Sequence, residues 1–105
     1  MNHLAFFDQV ISIRKNKQKA ALATVIRTKG STPRKTGTKM IIYSDYTLEG
    51  TIGGGCGEGE VIEKALIVMD TGRPQHHHVD LTDGLFYEDG GICGGILDVF
   101  IEPII

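Results

Sequence analysis

The chain has 105 residues, the size of one domain, and its 11 Lys and Arg against 13 Asp and Glu leave a net charge of −2. No basic field exists to hold nucleic acid or anionic lipid, so those two partner classes are excluded. Hydrophobic residues make up 41% of the chain without glycine, and its 14 glycines bring the apolar total to an ordinary globular share, so a single core can form without disulfide or metal staples.

Leu4, Phe7, Val10 and Ile11 recur at helical spacing behind a candidate N-cap Asn2, and the basic stretch Arg14 to Lys19 suits the C-terminal end of a first helix. The same N-terminal segment has neither a basic n-region nor a small-residue cleavage site, so it is not read as a signal peptide. Ala20 to Thr28 is small or β-branched, as in a largely buried strand. After the loop Lys29 to Gly37, Lys39 to Tyr43 and Thr47 to Ile52 read as two strands around the turn Ser44-Asp45-Tyr46, most simply a hairpin. Val61, Ile62, Ala65, Leu66 and Met69 mark a second amphipathic helix, ended by Thr71-Gly72 with Pro74 just beyond. His77 to Leu81 reads as a short strand, Thr82 to Asp89 as a polar loop and Ile96 to Ile101 as an alternating strand. The order α-β-β-β-α-β-β predicts one α+β domain over residues 1–105, with two main helices on a mixed or antiparallel sheet.

Nine of the glycines fall in two clusters, and each cluster holds one of the two cysteines, Cys56 and Cys93. Gly53-Gly54-Gly55-Cys56-Gly57-Glu58-Gly59 lies between a strand and the start of a helix. Residues without Cβ let a ligand approach the backbone closely, and the free N–H groups and dipole of a helix's first turn attract an anion such as a phosphate. The spacing fits neither the dinucleotide fingerprint nor the P-loop, and a tight strand-to-helix connection accounts for the glycines equally well. A thiol at a helix N-terminus is favoured as the thiolate, which attacks, accepts sulfur or binds a soft metal, so Cys56 is either such a group or an inert buried cysteine. Cys93, in Gly90-Gly91-Ile92-Cys93-Gly94-Gly95, is equally accessible to close approach, and the pair lacks the spacing of a structural zinc site.

Other polar groups have plainer readings beside the functional ones. Ser31, Thr32 and Arg34 flank the rigid Pro33, and Arg34 suits bidentate phosphate binding with Lys35 and Lys39 as supporting charge, although solvated basic loops look the same. Glu58 and Glu60 fall in the second helix's first turn, where carboxylates cap the helix or complement its dipole. His76 and His78 share one face of a strand and could bind a metal, but the sequence shows no further ligand nearby. No apolar run approaches the ~20 residues that cross a bilayer. With two thiols and no secretion signal, the expected compartment is the reducing cytosol.

The runs Ala23-Thr24-Val25-Ile26-Arg27-Thr28-Lys29-Gly30-Ser31-Thr32-Pro33-Arg34, Gly37-Thr38-Lys39-Met40, Gly50-Thr51-Ile52-Gly53-Gly54-Gly55-Cys56-Gly57-Glu58, and Cys93-Gly94-Gly95 with Val99-Phe100-Ile101-Glu102-Pro103 resemble the XdhC/CoxI family. The resemblance covers nearly the whole chain beyond the first helix, with four motifs in the family's order. It implies an accessory protein for molybdenum hydroxylases of the xanthine dehydrogenase or carbon monoxide dehydrogenase type. Such a protein transiently binds molybdenum cofactor (molybdopterin), protects it while a cysteine desulfurase supplies its terminal sulfur, and delivers it to the apo-enzyme. On this resemblance the site comprises Ser31, Arg34, Gly53, Gly54, Gly55, Cys56, Glu58 and Cys93, with Cys56 on the metal or sulfur side. Family members usually continue into a Rossmann-like C-terminal domain, so this chain is expected to be a one-domain version that forms a homo-oligomer or works with a separate Rossmann-like protein. The expected role is a non-catalytic carrier, because no Ser/His/Asp or paired-carboxylate arrangement is identifiable. The alternatives are a sulfur-transfer protein carrying persulfide on Cys56 and a scaffold protein that binds a partner and no cofactor.

Overall fold

A computed structural model of the protein describes residues 3–30, 35–52, 57–80 and 95–105. Its elements run α1 (His3–Lys15), β1 (Ala20–Gly30), β2 (Lys39–Tyr43), β3 (Leu48–Gly50), α2 (Glu58–Thr71), β4 (Gln75–Asp80) and β5 (Gly95–Ile104). The five strands form one sheet in the order β3-β2-β1-β5-β4, and every neighbouring pair is antiparallel. The predicted α+β order therefore stands, with the sheet antiparallel throughout.

β1 lies at the centre because its side chains are small enough for a helix to approach. Ala21, Ala23 and Val25 alternate onto one face, where they meet Met40, Ile42, Val79, Leu97, Val99 and Ile101 of the other strands. α2 covers this face with Val61, Ala65, Val68 and Met69, a stripe at helical spacing. The helix stops where Gly72 takes a left-handed conformation and its N–H bonds the carbonyl of Val68. β5 runs on through Pro103, past the position where β4 begins opposite Ile101. One side of β5 is thus unpaired by β4 there, and a residue without an N–H can be accommodated.

The opposite face is covered at one end by α1. Phe6 and Ile13, with Val10 partly buried, pack against Ala20, Leu22, Ile41, Tyr43 and Ile104. The stripe expected from the sequence is only partly the buried one: Leu4, Phe7 and Ile11 are exposed, at 78%, 60% and 61%. α1 carries apolar residues around much of its circumference, so periodicity alone does not select its inner face.

Beyond α1 the outer face of the sheet is polar, and a bulge in β1 sets its pattern. The β1–β5 register shifts between Val25, opposite Val99, and Arg27, opposite Asp98. One extra residue reverses the alternation. Ile26 is left 46% exposed and Arg27 shares the outer face with Asp98.

Candidate functional site

The strand-to-helix connection is bounded by two well-defined flanks. β3 ends at Gly50, the side chain of Ile52 is fully buried in the main core, and α2 begins at Glu58 after Gly57. Gly57 has φ +76°, a left-handed conformation that a Cβ would strain, and its carbonyl accepts the first helical bond from the Val61 N–H at 3.2 Å. Across the connection the Thr51 hydroxyl donates to Glu58 Oε2 at 2.7 Å. A charge-assisted bond between residues seven apart holds the two ends of the connection together.

This geometry corrects the reading of the two carboxylates as helix caps. The N-cap is Gly57, which has no side chain, while Glu58 points back to Thr51. Glu60 Oε1 lies 3.7 Å from Nε2 of His77 on β4, a buried ring nitrogen with no hydrogen-bond partner. Both carboxylates still lie in the first turn, where the dipole favours them. Thr51 and His77 are additions that sequence reasoning missed, since each meets α2 only through the tertiary fold.

Of the site residues expected from the sequence, Glu58 stands at the first position of α2. Ser31, Arg34, Gly53, Gly54, Gly55, Cys56 and Cys93 lie outside the described residues. Lys35, expected as supporting charge, is exposed, and Lys39 donates from Nζ to the Thr24 hydroxyl at 3.3 Å.

A second polar cluster sits on the outer face. Asp98 is 5% exposed, and its Oδ1 lies 2.9 Å from both His78 Nδ1 and His76 Nε2. The hydrogen bond from His78 outweighs the burial that opposes it, and the charges of His78, His76 and Arg27 add to it, so the Asp98 carboxyl is held below the usual carboxylate range. Among the described residues no three His, Cys, Asp or Glu side chains are arranged to hold a metal ion, and no helix is long and apolar enough to cross a membrane.

Comparison with known proteins locates this fold. The chain is 32% identical over 96 residues to the Escherichia coli (strain K12) protein YqeB, covering 91% of this chain and 18% of that protein. It is 28% identical over 101 residues to a Bacillus subtilis (strain 168) protein named as a probable xanthine dehydrogenase subunit, covering 94% of this chain and 31% of that one. The crystal structure of a xanthine dehydrogenase from Bacillus halodurans superposes with a TM-score of 0.80 at 31% identity, over 93% of this chain and 30% of that chain. The chain thus spans under a third of the length of each of these relatives. The model of the XdhC and CoxI family matches residues 13–80, from the end of α1 through β4 and including both Thr51 and Glu58, so the chain belongs to the XdhC and CoxI family.

Proposed function

We propose that the protein serves a xanthine dehydrogenase system as a non-catalytic accessory factor that takes molybdenum cofactor as cargo, assists its sulfuration and passes it to an apo molybdenum hydroxylase. The observation that carries this reading is the family match across the strand-to-helix connection, together with relatives whose names refer to xanthine dehydrogenase. A cysteine desulfurase would be the sulfur donor in such a system.

The residues at the connection suit this cargo. The first-turn carboxylates are turned to Thr51 and toward His77, and the backbone donors and dipole at the N-terminus of α2 favour an anionic group. In the proposed site Gly53, Gly54 and Gly55 admit the phosphate end, Cys56 meets the molybdenum or its sulfur as a thiolate, Arg34 and Ser31 close over the anion, and Cys93 is a second thiol. Glu58, the remaining residue of the expected site, accepts the Thr51 hydroxyl bond across the connection.

Titrating isolated molybdenum cofactor into wild type, Cys56→Ser and Cys56→Ala tests the thiol. Loss of a soft metal ligand should weaken binding by about tenfold or more in both variants. Binding as tight as that of wild type would remove Cys56 from the site.

A further inference from the structure

His76 and His78 occupy alternate positions of β4, an edge strand, so both rings stand on the face turned away from α2. His77 and Val79 point the other way, toward Glu60 of α2 and into the core beneath it. The sequence supplies the two rings and no third group, whereas the fold supplies Asp98, the register partner of His78 on β5. Asp98 lies between Leu97 and Val99 of the core and shares the outer face with the rings. Arg27, brought to the same face by the bulge in β1, balances the carboxylate's charge.

A carboxylate can only accept hydrogen bonds, so His78 presents its Nδ1–H to Oδ1, while Nε2 of His76 lies 2.9 Å from the same oxygen as an ion-pair contact. In the neutral form of His78 that places the proton on Nδ1. Nε2 of neutral His78 then carries a lone pair directed away from Asp98, and the ring of His76 stands beside it without a hydrogen bond among the described residues that fixes its tautomer. Both side chains are about half exposed, 53% for His76 and 54% for His78, so both rings are open to solvent. A carboxylate behind an imidazole is the arrangement that sets ring orientation and tautomer for a metal ion. Residues two apart on a strand lie ~6.6 Å apart at Cα, a separation that two rings can bridge through one ion with bonds of ~2.1 Å.

The geometry points to a surface chelate, formed by His76 and His78 and oriented by Asp98, for a divalent transition cation of the imidazole-binding class, such as Ni2+, Cu2+ or Zn2+. Water completes the coordination, since no third side-chain ligand is arranged there among the described residues. The chelate is on the opposite face of the sheet from α2.

Calorimetric titration of the chain with Ni2+, beside His76→Gln, His78→Gln, His77→Gln and Asp98→Asn, tests the assignment. The expected result is binding of one Ni2+ that weakens about tenfold or more in His76→Gln and His78→Gln, is unchanged in His77→Gln, and weakens about 10-fold to 100-fold in Asp98→Asn. His76 and His78 are exposed, so the two decisive variants retain the fold even if Asp98→Asn does not. Absence of Ni2+ binding to wild type, or wild-type affinity in both His76→Gln and His78→Gln, overturns the chelate, while wild-type affinity in a folded Asp98→Asn overturns the orienting role.

Discussion

At Gly50 the backbone has φ +79°, and a Cβ there would lie 2.7 Å from the carbonyl oxygen of Lys39 on the paired strand. Because that neighbour is backbone and cannot swing aside, Gly50→Ala combines left-handed strain with a clash and should destabilise the protein by about 1–3 kcal/mol. Gly59, in the first turn of α2, has nothing within 4 Å of the position a Cβ would take and no positive φ. Gly59→Ala should therefore stabilise the helix by about 0.5–1 kcal/mol. Chemical denaturation of the two variants should move the midpoint in opposite directions, and a shift in the same direction would refute the contrast. The sequence marks both as glycines in turn-rich surroundings, and only the strand register distinguishes them. The same limit applies to Thr51 and His77: neither residue type signals a contact with α2, and each acquires its partner from the path of the chain.

At the scale of elements, the orientation of α1 was the least legible feature. Its position and type follow from apolar spacing and the basic last turn, Arg14 and Lys15, but two apolar stripes compete for the sheet. The winning stripe carries Ile13, which is fully buried against Ala20, Ile41 and Ile104. Ile13→Ala should cost about 2–5 kcal/mol, as expected for truncating a buried aliphatic side chain. Phe7→Ala, at a 60% exposed position, should stay within about 0.5 kcal/mol of wild type. The reverse ranking in thermal melts would mean that α1 is rotated about its axis. α2 was easier to read because Val61, Ala65, Val68 and Met69 form its one buried stripe, and because Gly72 and Pro74 stop it. β4 and β5 were recognisable as strands, but the proximity of His76, His78 and Asp98 depends on their register, which alternation along each strand does not specify.

For the whole molecule, the order of elements and the α+β class were legible from hydrophobic period and turn chemistry. The sheet order β3-β2-β1-β5-β4 was not, because the pairing of β1 with β5 joins segments far apart in the chain. That long-range pairing nevertheless defines the molecule: it makes β1 central and gives α2 a face to cover. Under the proposed function, the strand-to-helix connection holds molybdenum cofactor on its way to a hydroxylase. The most direct measurement is purification of the protein from cells replete in molybdenum, with molybdenum and oxidised pterin quantified on the same sample as its oligomeric mass. The account predicts that molybdenum and pterin co-elute with wild-type protein in equal amounts and fall sharply in Cys56→Ser, whereas wild-type protein free of both would contradict it and favour a scaffold that binds a partner alone.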